Sequence, residues 1–182
     1  MTADCSMYER VMGESFGRLA DSVQQFHRLA GKHALYGRVQ VHAPKSILAK
    51  LLARLLGTPL SAREGPIKFE LDACPSDETW TRYFPSNVMT SHLQLRNGQL
   101  VEKLGAARLT FALHENNRCL NMQLRRLQFF GIPCPKWLMP TVTAEETGID
   151  GRLYFNVRAE VIFIGLVVSY QGYLLLPGEV QP

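Results

Sequence analysis

The run from Arg152 to Leu176, RLYFNVRAEVIFIGLVVSYQGYLLL, contains no proline and only Gly165 and Gly172 as interruptions. Through its first half Leu153, Phe155, Val157, Ala159, Val161 and Phe163 share one parity, while Tyr154, Asn156, Arg158 and Glu160 take the other. A period of two is the signature of a strand with one buried face. At about 3.3 Å per residue a straight strand of this length would overrun a small domain, so the run bends or folds back, with Gly165 the expected place. Long antiparallel strands that curve in this way close a sheet around an inner space.

The remaining pattern agrees with a sheet. Ser6 with Glu9 and Ser22 with Gln25 fit the capping box, and Tyr8, Met12, Phe16, Leu19, Val23 and Phe26 form one apolar stripe. Two short helices are expected over 7–30 and a third over 45–57, where Ile47, Leu48, Leu51, Leu52, Leu55 and Leu56 oppose Lys45, Lys50 and Arg54. Strands are expected over 34–43 and in succession from 67 to 176. Asn97-Gly98 and Asp150-Gly151 signal tight hairpins, and Asn116-Asn117 a further turn. Along Cys119 to Phe130 the apolar parity switches between Leu124 and Leu127, which calls for a bulge near Arg125-Arg126. Strands without intervening helices argue an α+β fold: a curled antiparallel sheet, half-barrel or barrel, of about eight or nine strands, with N-terminal helices packed on it or capping it.

Length and composition bound the class. A chain of 182 residues falls within the size of one domain, so 1–182 is expected to be a single domain. Cys5, Cys74, Cys119 and Cys134 are widely spaced with no CxxC pair, the usage of reduced packing residues in a cytoplasmic protein. The opening MTADCSMYERVMG has no apolar core of a signal peptide, and no apolar run is long enough to span a bilayer. Twenty basic residues against sixteen acidic ones leave a dispersed excess of +4, which argues against nucleic acid as partner. His27, His33, His42, His92 and His114 fall in no metal-ligating spacing, and no glycine motif calls for a nucleotide cofactor; neither metal nor cofactor is expected.

Several segments, YERVMG, FHRLAGKHALYGRVQV, LLARLLGTP, WTRYFPSNVMTSHL, LVEKLGAARLTFAL, GIPCPKWLMP and SYQGYL, together resemble the bacterial domain-of-unknown-function family 4166. The resemblance runs from about Tyr8 to Leu176. It implies no catalytic residues, but it implies work beside small-molecule metabolism, because members of that family also occur attached behind reductase-type domains. His114-Glu115-Asn116-Asn117 departs from the glycine-rich turn that the resemblance leads one to expect.

The stretch Trp80-Thr81-Arg82-Tyr83-Phe84 carries the most chemistry, because Arg82 shares its face with Trp80 and Phe84. An inward guanidinium needs a partner, either a ligand's carboxylate or enolate oxygen or an internal glutamate. Glu102, Glu146 and Glu160 are the carboxylates available for that pairing or for general-base chemistry, with Glu102 first because Leu100 shares its parity. Against that, Val101 is the buried residue if the parity runs the other way. His92 is an acid–base candidate whose plain alternative is a half-exposed sheet histidine. The candidate catalytic set is therefore Glu102, Arg82 and His92, and the candidate ligand-binding set Trp80, Arg82, Phe84, Met89, Phe111, Met122, Phe155 and Tyr170.

Three functions follow, with a monomer or homodimer compatible with each. The first is a barrel that encloses a hydrophobic, lipid- or polyketide-like molecule bearing a carbonyl or carboxylate. The second is a cofactor-free isomerase, cyclase or lyase using the same cavity. The third is an accessory module docking on a reductase. A carrier shows an apolar cavity with one polar end, an enzyme a perturbed titratable group facing it, and a docking module a filled interior with a large exposed apolar patch.

Overall fold

The structure, a computed structural model, describes residues 5–178. The outermost residues of the expected 1–182 domain lie outside them. The chain opens with α1 (Met7–Met12), a 3-10 turn (Gly13–Arg18) and α2 (Asp21–His27). Ser6 and Glu9 form the expected capping box on α1. The second one does not form: Ala20 caps α2, and Ser22 instead donates its hydroxyl to the carbonyl of Arg152 on the sheet.

Strands β1 (Gly31–His42), β2 (Arg63–Ala73), β3 (Asp77–Phe84), β4 (Asn87–Arg96), β5 (Gln99–Leu104), β6 (Ala107–Asn116), β7 (Cys119–Phe129), β8 (Ile132–Pro133), β9 (Thr141–Ile149), β10 (Arg152–Val161) and β11 (Gly165–Leu175) form one antiparallel sheet. Helix α3 (Ile47–Leu56) interrupts the series after β1. Neighbours in sequence pair from β1 to β8 and from β9 to β11, β9 pairs with β7 and β11 with β1, so ten strands close into a barrel with the two-residue β8 added at one rim. The Arg152–Leu176 run folds back beside Gly165 as a hairpin, β10 and β11, and counting it as two strands takes the total past the eight or nine expected. Its turn is Ile162–Ile164, with Phe163 at φ 66 and wholly exposed in place of the inward position that parity assigned it.

Turn and bulge chemistry set the register. Asn97-Gly98 and Asp150-Gly151 take positive φ at both central positions, as their hairpins require, and the turn expected at Asn116-Asn117 sits one residue later, at Asn117-Arg118. The parity switch in β7 is a bulge at Arg125, since Thr110 faces Arg126 while Phe111 faces Leu124.

Apolar side chains from every full-length strand point inward and join Met7, Tyr8, Phe16, Leu19, Val23 and Phe26 of the N-terminal helices in one core. These helices stopper one end of the barrel. Gly148 on β9 permits the approach, because a Cβ there would lie 2.2 Å from the Ser22 hydroxyl. Helix α3 spans the other end, seated through Ala49 and Ala53 on Val167. Gly105, at φ 53 in the β5–β6 turn, holds its C-terminus, since a Cβ would meet the Leu55 carbonyl oxygen at 2.3 Å. No helix among the described residues is long and apolar enough to cross a membrane. The outer wall carries Lys68, Glu70, Thr90, Gln94, Arg108, Gln123 and Arg158, so its polarity is the reverse of a lipid-facing barrel.

Candidate functional site

Ten strands make a barrel too wide for its side chains to fill. Inside lies a cavity of about 150 Å³ open to the centre of a water molecule. Its wall is mainly apolar, with Met89, Leu109, Phe111, Met122, Val142, Phe155, Val157 and Ala159 among its contributors. At the α3 end Leu52, Leu56, Phe129, Pro140 and Val161 line it. Strands β7 and β9 meet through Leu120 with Glu146 and Asn121 with Glu145. The α3 end of the cavity is therefore bordered by α3, the end of β7, the residue leading into β9 and the end of β10.

The polar groups gather deeper. Arg82 is buried, with 7 % of its surface exposed, and its Nη1 donates to the Ser91 hydroxyl at 3.1 Å. Its guanidinium lies 5.0 Å from the Trp80 ring centre and 5.5 Å from that of Phe69, a cation over two aromatic faces. Among the described residues no carboxylate lies within ion-pair distance of it. Glu102 and Glu146 share the cavity wall with Arg82 and Tyr170.

Beneath them, where α2 meets β9, buried His27 donates from Nε2 to Glu146 at 2.6 Å. The Tyr8 ring stacks on His27 with centroids 3.6 Å apart. The Tyr8 hydroxyl and His27 Nδ1 are buried without a hydrogen-bond partner among the described residues. Glu78 accepts from the Trp80 indole at 2.7 Å. Burial pushes the Glu78 carboxyl above its ordinary range, only partly offset by His27 and by the Trp80 hydrogen bond. Burial likewise raises the hydroxyls of Tyr8 and Tyr170, with Glu78, Glu146 and Glu102 adding to the rise at Tyr8.

Of the residues singled out from sequence, Trp80, Arg82, Met89, Glu102, Phe111, Met122, Phe155 and Tyr170 line the cavity. Phe84 is buried against Tyr170 at 5.1 Å and packs the core without reaching the cavity wall. His92 is a correction: it faces outward, exposed, and bonds to Thr79 across the β3–β4 pair, because it alternates with inward Ser91 and Leu93. Glu160 also faces outward, paired with Arg158. Reading by sequence missed Tyr8, His27 and Glu78. Glu78 carried a signal in its parity with Trp80 and Arg82; the two helical residues carried none.

The model of the family described as "Domain of unknown function (DUF4166)" matches residues 19–174. The chain belongs to the DUF4166 family. No curated protein matches this DUF4166 chain. Among solved structures it is similar to Rv2717c from M. tuberculosis, a crystal structure, at 13 % identity and a TM-score of 0.46, covering 86 % of this chain and 98 % of that one.

Proposed function

We propose that the barrel binds a hydrophobic small molecule whose carbonyl or carboxylate oxygen reaches Arg82 and whose apolar body extends toward the α3 end. The observation that carries this reading is a buried guanidinium on the wall of an apolar cavity with no carboxylate partner among the described residues. Leaving such a charge unpaired is costly, and a ligand oxygen offsets the cost. Glu102 and Glu146 on the same wall favour a head group that also donates a hydrogen bond, so a hydroxyl-bearing carbonyl compound suits the floor better than a bare carboxylate.

Native mass spectrometry of freshly purified protein tests the reading. A retained species of lipid or polyketide size, released by organic solvent, supports it. Protein that carries none and also fails to take up polyene fatty acids or their esters speaks against it.

One observation favours a second reading. Glu146 lines the cavity while His27 holds it from behind at 2.6 Å, the arrangement of a general base with an orienting partner. A cofactor-free isomerase, cyclase or lyase would use it to take a proton beside the ligand's carbonyl. Incubation of a bound carbonyl compound in D2O distinguishes the two: an enzyme labels the carbon next to the carbonyl and Glu146→Gln does not, whereas a carrier labels nothing.

A further inference from the structure

We infer that the α3 end of the barrel docks on an anionic lipid surface, with Phe163, Ile47, Phe130, Ile132 and Trp137 entering the interface and Lys45, Lys50, Arg54 and Lys136 meeting the headgroups.

The apolar side chains at this end are out in solvent: Phe163 is 97 % exposed, Ile47 85 %, Phe130 72 %, Ile132 71 % and Trp137 69 %. Leu48 and Leu51 of α3 are exposed as well, since the helix meets the sheet through its alanines. Hydrogen bonds place these segments together. Ser46 donates to the Ile164 carbonyl, the Ala106 amide to Leu55, and the Phe130 amide to Ala106. Solitary exposed apolar residues are ordinary; a group crowning one end of a molecule marks an interaction site.

Charge selects the partner. The segments at this end, 43–62, 85–86, 105–106, 130–140 and 162–164, contain no aspartate or glutamate and carry Lys45, Lys50, Arg54 and Lys136. The nearby strand carboxylates Glu160 and Glu64 are neutralised by Arg158 and Arg38. At the opposite end Glu9, Glu14, Asp21 and Asp150 are interspersed with Arg10, Arg18 and Arg28. An aromatic and aliphatic tip ringed only by cations is complementary to an anionic bilayer interface. The protruding residues come from three segments, the β10–β11 turn, the start of α3 and 130–137.

The backbone adds an independent observation. Phe163 and Phe130 occupy hairpin turns at φ 66 and 48, a conformation that bulky side chains disfavour and that asparagine or glycine adopts readily. Folding alone would favour a different residue at either place. The inference does not depend on what fills the cavity, although docking would bring the α3 end of the cavity to the source of an apolar ligand.

The test is sedimentation of the full chain with phosphatidylcholine vesicles and with vesicles in which phosphatidylglycerol replaces part of the phosphatidylcholine. Binding is expected to the anionic vesicles and to weaken with added salt. Lys50→Gln with Arg54→Gln is expected to lower the partition about thirtyfold. Phe163→Asn is expected to lower it roughly tenfold while leaving the melting temperature unchanged or higher, so lost binding cannot be put down to lost folding. Absence of binding at low salt, or binding that neither variant changes, overturns the inference. So does a dimer in sedimentation velocity that Phe163→Asn dissociates, because a second copy would then cover the patch.

Discussion

His27 Nε2 stands 2.6 Å from Glu146 Oε2, both side chains almost wholly buried, at the point where the helical stopper meets the barrel wall. The bond ties α2 to β9 and fixes the orientation of a carboxylate that also borders the cavity.

Removing one partner of such a pair leaves an uncompensated buried charge. His27→Leu is expected to cost about 3–5 kcal/mol in urea unfolding, whereas Glu146→Gln, which retains an acceptor for the imidazole, is expected to cost less than half of that. Equal losses in the two variants would show that the contact is packing and not an ion pair.

Arg82 poses the opposite case. Its burial without a carboxylate lowers the stability of the ligand-free fold, so Arg82→Met is expected to melt at the same temperature or higher. The same variant is expected to bind a carbonyl-bearing probe at least about tenfold more weakly, the scale of a charge-assisted hydrogen bond. Thermal melts and probe titrations of one preparation check both halves; weaker stability with unchanged binding would reject the role given to Arg82.

Glu78 gives the pH dependence a sign. Its folded pKa lies above the unfolded value of 4.5, chiefly through burial, so the folded state keeps a proton that the unfolded state has released. Its contribution is fully present below the unfolded value and declines as pH rises through the folded one. Relative to wild type, Glu78→Gln is therefore expected to gain stability as pH rises above 4.5, since glutamine still accepts from the Trp80 indole and carries no charge. Parallel stability curves for the two proteins would contradict this.

Gly105→Ala tests how α3 is held. The added Cβ meets the Leu55 carbonyl in a backbone region alanine disfavours, a strain of about 1–3 kcal/mol. Faster hydrogen exchange in 47–56 and faster probe release are expected, with exchange in β1 and β2 unchanged. Uniformly faster exchange would mean that α3 belongs to the barrel's own folding unit.

Much of this was legible in the chain. Alternation in Leu153–Val161 gave the wall, Asn97-Gly98 and Asp150-Gly151 the turns, and the parity slip beyond Leu124 the bulge. The inward aim of Arg82 followed from Trp80 and Phe84 on the same parity. Two things were not legible, for physical reasons. The fold-back near Gly165 was expected, but its turn uses Phe163 where a turn residue would be expected, so parity assigned Phe163 to the inner face and not to the turn. The floor of the cavity is assembled between α2 and β9, and contact between His27 and Glu146 across that separation leaves no periodic trace. Ser22 shows the same limit: its capping pattern was present, yet the Arg152 carbonyl captured the hydroxyl.

The central claim is that the interior receives an apolar molecule. Trp80 lines the cavity and Trp137 is exposed at the rim, so with Trp137→Phe the remaining indole fluorescence reports from inside. Titration of that protein with the methyl ester of a fluorescent polyene fatty acid is predicted to quench Trp80 saturably, and Ala144→Phe, which fills the wall, is predicted to abolish the response. No saturable quenching, or quenching that Ala144→Phe leaves intact, would contradict it.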